Sequence, residues 1–285
     1  MIWFVAALVF WLGAWTLNAA LARSAYADSR AVKIAVPVLF GLTLLVLWEG
    51  VVRGFGISPV ILPAPSAVAG TFMASTDMLW EDFQQTVLKG ALSGFAIGAL
   101  AAFSVAIAID RSRFLTRGLL PIGNFVAALP IVGIAPILVS WFGFDWHSKA
   151  AVVVVMVFFP ILVNTVQGLR ETDQMQRDLM HTYAAGYGAA LVKLRLPAAM
   201  PFIFNGLKVA TTLALIGAIV AEYFGSPTRG MGFRISTGVG SLSIDLVWAE
   251  IAVAAMAGTA LYGVMAWIEK RVTFWHPSQR GSGRA

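Results

Sequence analysis

The chain has no cysteine in its 285 residues, which excludes disulfides, thiol nucleophiles and thiolate metal sites together. Its three histidines, His147, His181 and His276, fall on three different segments, none with a second ligand at helical spacing, so no metal site is expected. Charge is scarce: Lys, Arg, Asp and Glu make up 12% of residues, against 59% apolar residues and a mean hydropathy of +0.81. That composition lies outside the range of soluble globular domains. There is no G-x-x-x-x-G-K-[ST] loop to cradle the phosphates of ATP, and neither G-x-S-x-G nor H-E-x-x-H occurs. No nucleophile–base pair or ligand set sits at membrane depth. The chain is therefore not expected to be an enzyme, and any energy source belongs to another polypeptide.

What the sequence does have is apolar length. Runs able to cross about 30 Å of hydrocarbon as helices occur near residues 2–21, 34–52, 86–109, 118–141, 149–169, 203–222 and 247–268. The expected fold is all-α and polytopic, with about seven transmembrane helices and nothing outside them long enough for an independent core. Residues 1–85 form N-terminal helices and a surface loop, and 86–285 form the main transmembrane body. Met1 to Ala22 carries no Lys or Arg, so the first run lacks the basic start of a secretory signal and reads as a retained helix.

Basic residues set the orientation. With the N-terminus outside, Arg23, Arg30, Lys33, Arg111, Arg113, Arg117, Arg170, Arg177, Lys193, Arg195, Lys208, Lys270, Arg271, Arg280 and Arg284 are cytoplasmic. Those are fifteen of the twenty; Arg53, Lys89, Lys149, Arg229 and Arg234 are left outside. This bias follows the positive-inside rule and puts the C-terminus in the cytoplasm. The net charge of +6 is spread over four cytoplasmic segments instead of one stripe, so it reads as topology and not as a nucleic-acid surface.

Within the spans, Gly90, Gly94 and Gly98 recur every fourth residue and share one helix face suited to close packing. Pro130 and Pro136 in the fourth span and Pro160 in the fifth are expected to bend or loosen their helices. Glu49, Glu222 and Glu250 lie toward the outer interface, where each carboxylate is expected to stay hydrated or to pair with Arg53, Arg229 or Arg234. Glu222 has two readings, a structural anchor or a group at the mouth of a pathway. Outside the spans, Pro59, Pro63 and Pro65 stiffen one outer loop, and a helix from Ser66 to Gln85 is expected to lie along the membrane surface. A second outer loop, 223–246, is rich in Gly and Ser.

The stretch 178–202, DLMHTYAAGYGAALVKLRLPAAMPF, interrupts the spans on the cytoplasmic side. It predicts a helix over 173–185, a break at Gly186 and Gly188, and a second helix over 189–193 stopping at Leu196-Pro197. A projecting helix of this kind either seats in a groove of a second protein or rests on the lipid surface.

At these residues the chain resembles the permease subunits of type I ATP-binding-cassette importers, whose cytoplasmic signature reads Glu-Ala-Ala, three residues, Gly, nine residues, Ile, one residue, Leu-Pro. With Leu-Pro on Leu196 and Pro197, Asp178 falls at the Glu position, Leu179 and Met180 at the Ala positions, Ala184 at the Gly position and Leu194 at the Ile position. Spacing and ending match; the start and the glycine are substituted. ILPAPSAV, ALPIVGIAPILVSWFG, LRLPAAMPFIFNGLKVA and LIGAIVAEYFG are similar to the subfamily serving nitrate, sulfonates, taurine, riboflavin and pyrimidine precursors of thiamine. The likeness covers about 57–276 and leaves the first helix as an addition to the usual six spans.

The resemblance implies a bacterial inner-membrane homodimer with a pathway between the copies, a periplasmic or lipid-anchored binding protein outside, and a dimer of ATPase subunits inside. ATP and magnesium would be bound by that partner, and this chain would hold no cofactor. The coupling residues would be Asp178, Ala184, Ala185, Gly186, Tyr187, Gly188, Leu194, Leu196 and Pro197 in a loop of about 170–202. Asn124, Pro130, Phe158, Asn164, Asn205 and Glu222 are the candidates for the pathway, which would suit a planar, nitrogen-containing solute. The subfamily features favour riboflavin or a pyrimidine over nitrate, sulfonate or taurine. A membrane scaffold and an ATP-independent transporter are the readings from other classes.

Overall fold

The computed structural model describes residues 2–112, 114–115, 118, 129–225 and 228–276. Among these there is no strand, and six helices are long and apolar enough to cross a membrane, joined by a shorter apolar helix, Ile131–Phe142. The fold is all-α and polytopic. The first half of the expected fourth span, with Asn124 and Phe125, lies outside the described residues. Internal contacts divide the chain into two compact units: Met1–Leu79 with Ile235–Ile251, and Trp80–Arg234 with Ala252–Ala285.

The first unit begins with a hairpin of α1 (Ile2–Ala22) and α2 (Arg30–Phe55). Ser29 caps α2 by accepting from the Val32 amide, and Gly56 ends it in the left-handed conformation, φ 63°, where a side chain would be strained. The helices meet where Gly50 and Gly54 of α2 face Ala7 and Phe4 of α1 so closely that a Cβ on either glycine would collide. Glu49 pairs with Arg53, as expected, and also accepts from the Ser66 amide (3.0 Å) and hydroxyl (2.7 Å) at the start of α3 (Pro65–Ala74). A carboxylate at a helix N-terminus is favourably placed, which explains why this acid takes two kinds of partner.

The expected surface helix of 66–85 is broken at Ser75. Its second half, α4 (Thr76–Phe83), runs on through a wider π-helical turn, Gln84–Ala91, into α5 (Leu92–Arg111). Residues 76–111 thus form one helix of spanning length. The charged residues Asp77, Glu81 and Asp82 masked this continuity in the hydropathy pattern.

In the second unit α5 packs on α7 (Trp146–Arg170) and on α10 (Leu196–Gly225), while α6 (Ile131–Phe142) packs on α7 and α10. The core consists largely of small and β-branched side chains: Ala102 and Ala106 from α5, Val153, Val157 and Ile161 from α7, and Ala210, Ala214 and Ala218 from α10. Lipid is as apolar as leucine, so helices gain little from hiding hydrophobes; close contact through small residues supplies the attraction. Gly94 and Gly98 lie against Val153 and Val157, and a Cβ at Gly94 would come within 2.8 Å of the Ala150 carbonyl oxygen.

Two prolines behave differently from expectation. Pro130 caps the start of α6 in extended conformation (ψ 112°), so it opens a helix instead of kinking one. Leu196-Pro197 does not stop a helix: the chain is helical through α9 (Tyr187–Ala190), a π-helical turn at Leu191–Arg195, and α10. The wider turn carries the backbone past the position where proline lacks its donor, and the Leu196 amide bonds back to the Leu191 carbonyl. Pro136 and Pro160 are inside helices. The loop expected over 223–246 is mostly helical: α10 reaches Gly225, and α11 (Met231–Gly240) and the start of α12 (Ile244–Val272) fill much of the rest.

Gly94→Val should push α5 and α7 apart and lower the thermal midpoint of the detergent-purified protein, by the equivalent of about 1–3 kcal/mol. Gly13→Ala, where nothing lies within 4 Å of the added carbon, should not lower it.

Candidate functional site

The candidate coupling segment starts with α8 (Gln174–Thr182). Asp173 accepts from the Gln176 amide (2.7 Å) while the Gln176 side chain accepts from the Asp173 amide (3.3 Å), a reciprocal cap that satisfies two orphan donors. The helix ends in a Schellman turn: the Ala185 amide bonds to the Met180 carbonyl (3.0 Å) and the Ala184 amide to the His181 carbonyl (2.8 Å). Ala184 is left-handed, φ 51°. The break therefore falls at Tyr183 to Ala185 and not at Gly186 and Gly188. Gly186 caps α9 in extended conformation, and a Cβ at Gly186 or Gly188 would meet nothing within 4 Å. This chain's own packing does not require glycine at either position.

Ala184 also occupies the glycine position of the signature, and the turn gives that position its physical reason. An L side chain in the left-handed region costs about 1–2 kcal/mol.

One face of α8 is exposed and apolar, with Met175, Leu179 and Tyr183 at four-residue spacing and 81%, 56% and 76% exposed. Asp178 sits beside that stripe, also exposed. The other flank is tied back. Arg177 donates to the Thr172 carbonyl (3.0 Å), and Arg195, in the π-helical turn, donates to the Leu169 carbonyl (2.9 Å). Arg195 satisfies a carbonyl left over at the C-terminus of α7, and Arg177 one just past it. Arg195 also grips Asp110 at the end of α5 with both terminal nitrogens, Nη1 at 2.7 Å. A carboxylate at a helix C-terminus is badly placed for the dipole, and a bidentate guanidinium offsets that. The Tyr187 hydroxyl donates to the same carboxylate (2.9 Å), and Arg111 lies over its ring at 4.9 Å. Leu194 and Leu196 are half-buried beside this clasp, and Leu196 packs with Leu169, Leu191, Ala199 and Ile203.

The clasp is the part that sequence reading missed. Its signal was Asp110, a lone acid opening the otherwise basic stretch DRSRFLTR.

The opposite ends of the same helices carry a second polar cluster. Glu222 is 1% exposed; one oxygen accepts from the Thr86 hydroxyl (2.6 Å) and the Gly232 amide (3.1 Å). The Met231 amide donates to the Thr86 oxygen (2.8 Å), and the Gly230 amide donates to Asp82 (2.6 Å). Glu222, Thr86 and Asp82 thus satisfy amides at and just before the N-terminus of α11, where negative charge is favoured. The expectation that Glu222 is hydrated or paired with arginine is overturned: Arg229 pairs with Glu81 (2.6 Å) and Arg234 with Asp82 (2.8 Å), while glycines let the backbone of 230–232 close over Glu222. Lys149 is buried too, donating to the last carbonyl of α10 at Gly225 (2.8 Å) and to that of Phe144. Glu250 is likewise fully buried instead of hydrated.

Among the described residues, the pathway candidates do not form one surface. Asn205 on α10 donates to Asn164 on α7 (3.1 Å), so those two meet. Phe158 packs against the helical core in edge-to-face contact with Phe159, Pro130 lies at the start of α6, and Glu222 is seventeen residues from Asn205, about 25 Å along α10. Asn205 instead heads a stripe of exposed positions on α10, followed by Val209, Thr212 and Ile216.

Residues 94–274 match the family model described as the binding-protein-dependent transport system inner membrane component. The chain belongs to this family. The permease is 32% identical to a probable ABC transporter permease of Haemophilus influenzae, over 84% of this chain and 97% of the relative. It is 30% identical to the formylaminopyrimidine transport permease of Halalkalibacterium halodurans (88% and 99% covered) and 30% identical to the riboflavin transport permease of Chloroflexus aurantiacus (86% and 91%). It is thus a multi-pass inner-membrane permease of the type I ATP-binding-cassette importers, a transport component and not an enzyme.

Relief of backbone strain is directly measurable. Ala184→Gly should stabilise the turn by about 1 kcal/mol, seen as up to about fivefold slower hydrogen exchange at the amides of residues 184 and 185, with transport retained.

Proposed function

We propose that two copies of this permease enclose a pathway through the inner membrane for a small solute, driven by ATP hydrolysed in a separate ATPase dimer that binds ATP and magnesium. The observation that carries the reading is the form of α8. It is capped by its own residues, presents an exposed apolar stripe, and is tied through Arg177 to the end of α7, while Tyr187 and Arg195, which follow it in the chain, clasp the ends of α5 and α7 at the start of α10, so force on the stripe reaches three membrane helices. Met175, Leu179 and Tyr183 seat in the ATPase, with Asp178 beside them. Ala184, Ala185, Gly186 and Gly188 let the partner approach closely, and Tyr187, Leu194, Leu196 and Pro197 transmit the movement. The bias of basic residues supports a cytoplasmic position for this segment and C-terminus and an outer N-terminus, with a periplasmic or lipid-anchored binding protein meeting the opposite loops.

Asn205 and Thr212 are exposed at membrane depth, where polar groups avoid lipid, which supports a pathway along the stripe Asn205, Val209, Thr212 and Ile216, with Asn164 at its edge. The stripe carries no cation. Lys208, the cation nearest to it on α10, is half-buried and paired with Glu269 at 2.7 Å. A path for nitrate, sulfonate or taurine gains from a free positive charge, whereas amide and hydroxyl groups suit a neutral, nitrogen-containing solute. Together with the formylaminopyrimidine and riboflavin permeases among its relatives, this favours a solute of the riboflavin or pyrimidine class.

Leu179→Glu should cut ATP-driven uptake in proteoliposomes containing permease, ATPase and binding protein by about tenfold or more, the loss expected from one interface anchor. Insertion and melting should be unchanged, because Leu179 has little to lose within its own chain. Normal uptake by this variant, or solute flux through the permease alone, would overturn the coupling. For the solute, the cognate binding protein should melt at higher temperature with riboflavin or a formylaminopyrimidine and not with taurine, an alkanesulfonate or nitrate. The reverse pattern would reassign the cargo and leave the coupling untouched.

A further inference from the structure

The hairpin of α1 and α2 precedes residues 94–274, so the matched transport domain does not account for it. Its two halves differ. Near Gly50 and Gly54 the helices are in backbone contact, whereas Gly13 and Gly41 in the other half have nothing within 4 Å of an added Cβ. Pro37 lies inside α2 in this looser half, where it removes a backbone hydrogen bond. A groove of about 510 Å³ opens there, with Trp11, Trp15 and Ala19 on one wall and Val36, Pro37 and Phe40 on the other. That volume is within the range of small-molecule sites, about 300–1,000 Å³.

The polar groups of the groove are graded along its length. Arg23 lines one end, and its guanidinium makes no ion pair or hydrogen bond among the described residues. Lys33, by contrast, is paired with Asp28 at 3.1 Å. Asn18 lines the groove five residues deeper, about 7.5 Å along the helix, and its amide nitrogen makes no hydrogen bond among the described residues. Beyond Asn18 the lining is aromatic and aliphatic as far as Trp11, apart from Thr43, whose hydroxyl is taken up by the Leu39 carbonyl (2.6 Å); Trp11 is about 18 Å from Arg23, against about 15 Å for half of the hydrocarbon thickness.

We propose that this groove is a binding site for one anionic phosphoglycerolipid from the leaflet whose surface Arg23 reaches. The order of groups matches the order in the lipid. Arg23 donates to the phosphate, the Asn18 amide donates to an ester carbonyl one layer deeper, and one acyl chain lies against Trp11, Trp15 and Phe40. A second copy of the chain is a poor occupant, because α1 carries no acid and Glu49, the acid within α2, is taken up by Arg53 and Ser66.

The test uses the full permease, purified with its ATPase in mild detergent and offered mixed micelles of phosphatidylglycerol and phosphatidylcholine with equal acyl chains. Native mass spectrometry then counts the lipid retained per chain. One phosphatidylglycerol should be retained per permease in preference to phosphatidylcholine by about fivefold or more, the worth of one basic residue at the membrane surface. Arg23→Gln should abolish that preference without lowering the thermal midpoint, and Arg23→Lys should keep most of it. Asn18→Leu should weaken retention of both lipids. Equal retention of the two lipids by the unaltered protein, or an unchanged preference in Arg23→Gln, would overturn the proposal. So would a disulfide between two chains, or between the chain and another polypeptide, formed through Trp15→Cys, because the groove would then hold protein.

Discussion

The constraint on which the second unit depends is the close approach of α5, α7 and α10. In a bilayer this cannot come from hiding leucines, because the surroundings are equally apolar, so it comes from backbone surfaces brought together by Gly94, Gly98, Ala102, Ala106, Ala210, Ala214 and Gly217. Such contacts decay steeply with distance, and a stack held by them transmits displacement instead of absorbing it. Polar ties finish both ends of the stack. Asp110, Arg195 and Tyr187 join the helices where the coupling segment emerges, and Thr86, Glu222 and Lys149 join them at the other end.

On the proposed reading, movement at α8 is passed on through Tyr187 and Arg195, which follow it in the chain. The segment is stiff where it is capped, bent where Ala184 takes the left-handed conformation, and anchored where Arg195 holds two helix ends at once. The chain then stays helical from Tyr187 to Gly225, so the part of the candidate coupling segment after the turn shares one continuous backbone with the longest of the described spanning helices. The π-helical turn before Pro197 preserves that continuity; a helix ending at Leu196-Pro197 would have put a flexible joint in the line of force.

Much of this architecture was legible beforehand, in specific residues. Apolar runs gave most of the spanning helices, the helix expected from residue 173 is α8, and the four-residue spacing of Gly90, Gly94 and Gly98 marked a packing face. The spacing back from Leu196-Pro197 placed the signature's glycine position on Ala184, the residue that takes the left-handed conformation. What the pattern misread were places where a local signal competes with a distant partner. Pro130 and Pro197 look like interruptions within helices, but one opens a helix and the other is carried by a widened turn. Asp77, Glu81 and Asp82 look like residues of a separate surface helix, yet they lie on the helix that continues through α5.

The linear order of the residues was enough to determine an all-helical membrane protein, the short helical stretch between two of its spans, and the absence of any phosphate-binding loop. Those properties follow from composition and from periodicities of a few residues, which are local. Which polar groups meet was decided only by the tertiary structure. Asp110 and Arg195 are 85 residues apart, and Thr86 and Glu222 are 136 apart. No periodicity links such positions; the crossing of packed helices does. A carboxylate expected to face water thereby became a buried cap on another helix, because its fate depended on which backbone amides the folded chain delivered to it.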